Sequence, residues 1–192
     1  MCGIVGITSN KEVTSRIIGS LKKLEYRGYD SAGIATISEN NINEVKCEGR
    51  VNELEKNVNQ IKLSGTIGIG HVRWATHGKP STINAHPHSS DNVSVVHNGI
   101  IENSTILKKI LEKKGYKFKS QTDTEVIVHL VTDYLKKNNL KDTIIKVLKK
   151  LHGSFALGII FKDQPDLIIG ARRGSPLAVG YGPDEHYLGS DS

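Results

Sequence analysis

The sequence predicts an α+β fold in which helices cover β-sheets, and two patterns lead to this prediction. Short apolar runs with strand character recur along the 192 residues, bounded by turn-forming residues. Between them lie segments, often in pairs, whose apolar residues recur three and four positions apart, as in amphipathic helices. We find no repeat, low-complexity tract or interdomain linker, so we expect one domain spanning residues 1–192.

The N-terminal half alternates predicted strands and helices up to a long loop. The predicted strands are 2–7, 34–37, 44–47 and one within 66–74. One predicted helix spans 13–24, and Leu54, Val58 and Ile61 mark another. Residues 27–33 form a predicted loop, and Asn40-Asn41 a predicted turn. Residues 76–91 are rich in Gly, Pro, Ser, Asn and His and lack periodicity, and ordered loops of this length inside a domain are usually functional.

The C-terminal half is predicted to contain three helices followed by a β-rich end. A strand at 93–96 precedes a helix that Ser104 can cap and Gly115 ends. Residues 122–125 (TDTE) fit a capping box before the next helix, and a further helix runs from Asp142 to Gly153. The last predicted strands are 155–161, 167–169, 177–179 and 187–188.

Composition excludes several classes of protein. The net charge is +6, but the paired lysines lie on helix-like segments and the 5% of aromatic residues do not interleave with them, so we do not expect nucleic-acid binding. No apolar run approaches the roughly 20 residues of a membrane helix. The first ten residues lack the features of a signal peptide, and two cysteines make no disulfide framework. We therefore expect a cytoplasmic protein.

Cys2 is the first candidate catalytic residue. A small residue after Met1 permits removal of that methionine, which would leave Cys2 with a free α-amino group. An α-amine and a thiol have ordinary pKa values near 7.7–8.0 and 8.5, so one residue could supply both nucleophile and base. Taken alone, Cys2 is better explained as a small buried hydrophobic residue.

Two further features complement a nucleophile. The amide of Asn98 and the N–H of Gly99 could both donate to a developing oxyanion, although Asn-Gly is also a common turn. Arg73 and Asp123 could bind the two charges of a free amino acid, although a surface ion pair and helix N-terminal electrostatics would explain them as well.

Histidines offer a competing interpretation. His71, His77, His86, His88 and His97 fall within a short stretch that could indicate a metal site. Their spacing matches no metal motif and no cysteine accompanies them, so we favour hydrogen-bonding roles. Cys47 is interpreted as a structural thiol.

Six sequence blocks, in this order, resemble class II glutamine amidotransferases, and within them the glutaminase domains of the glutamine–fructose-6-phosphate aminotransferases, which form glucosamine 6-phosphate. The blocks are residues 1–6 (MCGIVG), 24–33 (LEYRGYDSAG), 71–78 (HVRWATHG), 84–88 (NAHPH), 97–103 (HNGIIEN) and 122–125 (TDTE). The related amidophosphoribosyltransferases usually carry Tyr-Ser at positions 74–75 and Gln at position 29. The residues present here favour the amino-sugar branch.

The resemblance implies an αββα sandwich of two antiparallel sheets, the N-terminal-nucleophile hydrolase fold. It implies glutamine hydrolysis through a γ-glutamyl thioester, without metal or organic cofactor, and with glutamine and a sugar-isomerising domain as partners. It implies that Cys2 is the nucleophile and that Asn98 and Gly99 form the oxyanion hole. Arg73 and Asp123 would bind the α-carboxylate and α-ammonium of glutamine. Trp74, Thr76 and His77 would line the pocket on a mobile loop, and Arg27 would lie near the nucleophile.

Enzymes of this kind continue into a larger sugar-isomerising part, which the present residues lack, so we expect a glutaminase domain shortened at its C-terminal end. Two other functions stay open. The chain could be the glutaminase domain of another class II amidotransferase, such as the purine-pathway enzyme. It could also be a regulatory module that binds glutamine without turnover.

Overall fold

Two antiparallel sheets stacked face to face form the centre of the molecule, and helices cover their outer faces. The computed structural model describes residues 2–75 and 78–191. The strands are β1 (Gly3–Ser9), β2 (Ser31–Ser38), β3 (Asn41–Glu48), β4 (Ile67–Arg73), β5 (His88–Ser89), β6 (Val93–Ile101), β7 (Gly153–Phe161), β8 (Gln164–Arg173), β9 (Ala178–Tyr181) and β10 (Glu185–Gly189). The helices are α1 (Thr14–Lys23), α2 (Val51–Ile61), α3 (Ser104–Lys113), α4 (Glu125–Leu135) and α5 (Leu140–Lys150), with 3-10 turns at Glu25–Arg27 and Thr82–Asn84.

Strand order places the first strand of the chain at the middle of the larger sheet. Among the described residues, the six-stranded sheet has the order β3-β2-β4-β1-β10-β9 and the four-stranded sheet the order β5-β6-β7-β8. All their neighbouring strands pair antiparallel. In the central pair, Ile4 of β1 lies opposite His71 of β4. In the smaller sheet, Asn98 of β6 lies opposite Ala156 of β7.

Three apolar layers hold the sheets and helices together. Helices α1 and α2 pack on the six-stranded sheet, and α3, α4 and α5 pack together against the four-stranded sheet. Between the sheets lies a third cluster of buried residues: Ile4, Ala35, Ile37, Ile67, Ile69, Val96, Ala156 and Ile160. This order of layers is an αββα sandwich, so the predicted fold class is confirmed.

Strands extend further than the sequence pattern predicts, because pairing with neighbours overrides local turn signals. β2 begins at Ser31, inside the predicted loop 27–33. β6 continues through Asn98-Gly99 to Ile101, since each residue pairs with β7, and this dipeptide is not a turn. The turn after β2 is centred on Glu39 and Asn40, with φ of 52° and 55°, one residue earlier than predicted.

The predicted helix caps were mostly wrong. Thr124 is the N-cap of α4 and makes no side-chain capping hydrogen bond. The hydroxyl of Thr122 instead lies 2.9 Å from His88 Nε2, and the Glu125 carboxylate accepts from the Ser120 N–H. Residues 122–125 are therefore not a capping box.

Gly115 ends α3 as predicted, with φ of 90°, but at the other helix ends the predicted residues do not take the predicted roles. Ser104 is the first residue of α3, and Asn103 occupies the N-cap position. In α5 the Asn139 side chain caps the helix by accepting from the Asp142 N–H, 2.9 Å away. Gly153 begins β7 and does not close a helix.

The predicted loop 76–91 contains two short elements where it is described. The 3-10 turn Thr82–Asn84 and the short strand β5 interrupt it. Thr76 and His77 lie outside the described residues. Within the described ranges, none of the helices has the length and apolarity needed to cross a membrane.

Candidate active site

The candidate site is the polar end of the layer between the two sheets. Side chains two positions apart on a strand share a face, so each strand that supplies an apolar residue to this layer can add a second side chain to it. β1 supplies Ile4, and the residue just before this strand is Cys2. In the same way, β4 supplies Ile69 and His71, and β6 supplies Val96 and Asn98. Alternation along three strands therefore gathers a thiol, an imidazole and an amide at one edge of an apolar core.

The thiol of Cys2 rests against the backbone at the end of β4. The Trp74 N–H donates to Cys2 Sγ over 3.2 Å, and Sγ lies 3.5 Å from the Trp74 carbonyl oxygen. Burial raises the pKa of the thiol, and the Trp74 N–H and the charge of Arg73 oppose this rise only in part. The thiol therefore stays protonated at neutral pH, and a base must remove its proton before it can attack a carbonyl.

Asn98 and Gly99 lie beside Cys2 at the end of β6. Asn98 Nδ2 donates to the Cys2 carbonyl oxygen over 3.0 Å, and Asn98 Oδ1 lies 3.0 Å from His71 Nε2. Gly99 has φ of 122°, and a Cβ there would come within 2.1 Å of the Ser154 carbonyl oxygen. Only glycine fits that position, so β6 can stay paired with β7 while presenting the amide to Cys2.

Arg73 and Asp123 bring opposite charges to the same pocket, although they lie 50 residues apart in sequence. Arg73, the last residue of β4, is buried and donates from Nη2 to the Gly78 carbonyl oxygen over 3.2 Å. Burial lowers its pKa, but a guanidinium stays charged at any physiological pH. Asp123 is also buried, and its Oδ2 accepts from the Ile101 N–H over 2.7 Å.

These residues and their neighbours line one small pocket. Its lining comprises Cys2, Arg73, Trp74, His86, His97, Gly99, Thr122, Asp123 and Thr124. The pocket thus offers a thiol, a cation and an anion in a buried setting, where charge interactions are stronger than in water.

Hydrogen bonds to threonines fix the histidines behind the pocket. Thr124 Oγ1 lies 2.7 Å from His86 Nε2 and 2.9 Å from His97 Nδ1. The ring of His86 stacks on that of His71 with centroids 4.3 Å apart. Burial lowers the pKa of His86 well below its ordinary value and that of His71 to about 3. Within residues 2–75 and 78–191, no cluster of His, Cys, Asp and Glu has the geometry to hold a metal ion.

Of the remaining predicted site residues, two are described by the structure and two are not. Trp74 is half exposed and packs edge-on against Tyr29, with ring centroids 5.8 Å apart. Arg27 is held in an ion pair with Asp191, Nη2 to Oδ2 2.9 Å. Thr76 and His77 are among the residues that the structure does not describe.

Sequence reasoning missed residues that hold the segment 73–75 in place. Asp30 accepts from the Ala75 N–H over 2.7 Å, and its own N–H donates to the Arg73 carbonyl oxygen over 3.1 Å. A Cβ on Gly28 would come within 2.5 Å of the Arg73 carbonyl carbon. In the sequence, the run Gly28-Tyr29-Asp30 indicates a loop. It does not indicate that this loop contacts residues 73–75. The role of Thr124 was hidden because its neighbours resemble a capping box.

The chain belongs to the glutamine amidotransferase domain family, whose model matches residues 72–192, more than half of the chain. Relatives named glutamine–fructose-6-phosphate aminotransferase (isomerizing) match the whole chain. The protein from Bradyrhizobium diazoefficiens is 53% identical over 193 residues, covering 100% of this chain and 32% of the relative. The protein from Mesorhizobium japonicum is 55% identical over 194 residues, with the same coverage. The present chain thus spans about a third of the length of these relatives.

A solved structure supports the same family. The glutamine phosphoribosylpyrophosphate amidotransferase from B. subtilis, complexed with ADP and GMP, aligns with a TM-score of 0.84 and 32% identity. The alignment covers 98% of this chain and 42% of that one. The resemblance predicted from the six sequence blocks is confirmed, including the similarity to the amino-sugar branch.

Proposed function

We propose that this chain hydrolyses glutamine to glutamate and ammonia, with Cys2 as the nucleophile. The observation that carries the proposal is the convergence of Cys2, Arg73 and Asp123 on one pocket, from separate parts of the sequence. Gly99 lines the same pocket, and the neighbouring Asn98 amide is hydrogen-bonded to Cys2. Family membership supports glutamine as the substrate.

In the proposed reaction Cys2 Sγ attacks the side-chain amide carbon of glutamine. The carbonyl π electrons move to the oxygen, and Asn98 Nδ2 and the Gly99 N–H stabilise the resulting oxyanion. Collapse of this intermediate breaks the carbon–nitrogen bond and leaves a γ-glutamyl thioester on Cys2. The leaving nitrogen takes a proton and departs as ammonia, and water then cleaves the thioester to glutamate.

The base in this scheme is the α-amine of Cys2 after removal of Met1. The need for a base follows from burial, which raises the pKa of the Cys2 thiol and leaves it protonated near neutral pH. The amine can accept the thiol proton and return it to the leaving nitrogen, because its ordinary pKa lies near 7.7–8.0. We therefore propose that the active chain begins at Cys2.

Opposite charges in the pocket match the two ends of the amino acid. Arg73 suits the α-carboxylate, because a guanidinium binds carboxylates through two parallel hydrogen bonds. Asp123 suits the α-ammonium. We propose that Trp74, Thr76 and His77 also take part in glutamine binding and that Arg27 supports the site through the ion pair with Asp191.

We further propose that the chain is the glutaminase domain, residues 1–192, of a longer cytoplasmic enzyme. In that enzyme a sugar-isomerising domain would receive the ammonia and form glucosamine 6-phosphate from fructose 6-phosphate. Identities of 53% and 55% to relatives with the corresponding name support this assignment. The 32% identity to a phosphoribosylpyrophosphate amidotransferase makes the purine-pathway function the second candidate.

A steady-state assay of glutamate and ammonia release tests the proposal. The chain should hydrolyse glutamine, and Cys2→Ala should abolish release while the protein stays folded. Adding fructose 6-phosphate should leave the rate unchanged and yield no glucosamine 6-phosphate. A folded chain that binds glutamine without turnover would favour the regulatory module, and undiminished release by Cys2→Ala would overturn the assignment of the nucleophile.

A further inference from the structure

One histidine contacts the amide that the proposed mechanism uses as an oxyanion donor. His71 Nε2 lies 3.0 Å from Asn98 Oδ1 and also 3.0 Å from the His97 carbonyl oxygen. On the other side of the amide, Asn98 Nδ2 donates to the Cys2 carbonyl oxygen. The two ends of the Asn98 side chain therefore face chemically different partners.

The His97 carbonyl determines which nitrogen of His71 carries the proton. A carbonyl oxygen can only accept, so a nitrogen 3.0 Å from it must be a donor. Nε2 is therefore protonated, and its N–H is shared between His97 O and the Asn98 side chain. The atom of Asn98 facing this N–H must be the acceptor Oδ1, and the donor Nδ2 must then face Cys2.

Burial keeps this arrangement in one protonation state. His71 is fully buried, and burial lowers its pKa to about 3. Its Nδ1 is buried and has no hydrogen-bond partner among the described residues, so a proton there would be left unpaired. The imidazole is thus neutral near neutral pH, with Nε2–H as the stable tautomer.

We propose that His71 is a positioning residue that fixes the Asn98 amide with its nitrogen toward Cys2. The alternative amide orientation would point Oδ1 at Cys2, where two oxygens would repel each other and would repel an oxyanion. His71 does not touch the reacting atoms and acts through Asn98. The inference rests on the proposed function, since the orientation matters for turnover only if Asn98 stabilises an oxyanion.

Two substitutions of His71 test whether its Nε2–H donor is needed or only a side chain that fills the same space. The amide nitrogen of glutamine reaches the place of Nε2, whereas that of asparagine reaches only the place of Nδ1. His71→Gln should therefore retain most of kcat, and His71→Asn should lower kcat by roughly 10- to 100-fold with little change in KM, somewhat less than removal of the oxyanion donor itself. His152→Gln, which alters an exposed imidazole outside the pocket lining, should leave kcat within about twofold.

A double-mutant cycle distinguishes positioning from general destabilisation. If His71 acts through Asn98, His71→Asn should lower kcat by less than about threefold once Asn98 is alanine. Equal losses of kcat in both backgrounds would overturn the proposal, as would equal activity of His71→Gln and His71→Asn.

A readout without turnover keeps the inference separate from the proposed function. The side-chain amide resonances of Asn98, assigned by their loss in Asn98→Ala, report the orientation in any folded sample. They should shift in His71→Asn and return toward their original positions in His71→Gln. If the parent chain shows this pattern but no glutaminase activity, the positioning stands and the proposed function fails. Identical Asn98 amide resonances in the parent chain, His71→Asn and His71→Gln would contradict the proposed positioning role.

Discussion

The layer between the two sheets has an apolar half and a polar half, and β1, β4, β6 and the residues beside them contribute to both. Ile4, Ile69 and Val96 are fully buried among apolar neighbours, while Cys2, His71 and Asn98, two residues away on each segment, make hydrogen bonds. Two of these polar residues are nevertheless almost as buried, with His71 at 0% exposure and Asn98 at 9%, while Cys2 is partly buried. The comparison teaches that this site is an extension of the core, in which polar atoms are held by fixed partners.

After the loss of the nucleophile Cys2 itself, the largest effect on chemistry is expected from Asn98 in the polar half. Asn98→Ala removes one oxyanion donor, and such a loss typically lowers kcat by roughly 10²–10³-fold. KM for glutamine should change much less, because the donor acts mainly in the transition state. Steady-state kinetics decide the matter, and an unchanged kcat would make Asn98 a structural residue only.

Substitutions in the apolar half should lower the stability of the fold and leave kcat of the folded protein largely unchanged. Ile67 is fully buried between the sheets, four residues before His71 on β4. Ile67→Ala should lower the free energy of unfolding by about 2–5 kcal/mol, through lost burial and the cavity left behind. Urea unfolding measures this loss. If kcat of the folded variant fell as far as that of Asn98→Ala, the two halves would not be separable.

The charged residues of the pocket should act on substrate binding. Arg73→Leu or Asp123→Asn leaves one charge of glutamine without its partner, so KM should rise roughly 10- to 100-fold, or about 1.4–2.8 kcal/mol. Calorimetry with the Cys2→Ala background measures glutamine binding without turnover. If both variants bound glutamine as tightly as this background, the assignment of the two charges would be wrong.

The smallest effect concerns acid stability. The folded chain keeps His88 neutral with a pKa of about 3, because burial and then the nearby Lys46 charge disfavour its protonation, whereas the unfolded chain binds a proton near pH 6.5. Its contribution to stability is complete above pH 6.5 and is lost as the pH falls toward 3. Between pH 5.5 and 4.5 this amounts to about 1.4 kcal/mol per pH unit.

Replacing His88 tests the sign and the size of this pH dependence of stability. His88→Gln should have a shallower loss of unfolding free energy between pH 5.5 and 4.5 than the parent chain, by about 1.4 kcal/mol per pH unit. Urea unfolding at the two pH values gives both slopes. Identical slopes would mean that His88 takes up its proton in the folded chain.

Local patterns predicted the helices and strands well, because their periodicity reflects burial on one face. They failed where a neighbouring strand decides the conformation, as at Asn98-Gly99, where pairing with β7 overrides a common turn sequence. They failed again at Thr122 and Thr124, whose hydroxyls contact His88 and His86 and leave the helix uncapped.

Sequence identified the residue types of the site but not how they are held. The resemblance placed Cys2, Arg73, Asn98 and Asp123 in one site, and the structure brings all four together. No local signal could show that Asp30 holds Ala75 or that His71 holds Asn98, since these contacts join strands and loops far apart in sequence. Their roles in catalysis stay predictions.

The central claim is that Cys2, freed of Met1, forms a covalent intermediate with glutamine in this pocket. Rapid acid quenching of the chain with glutamine, followed by intact-mass and peptide analysis, tests it most directly. The account predicts chains that begin at Cys2 and carry a γ-glutamyl group on that residue, with no adduct in Cys2→Ala. Full turnover by chains that retain Met1, or a glutamyl group on another residue, would contradict it.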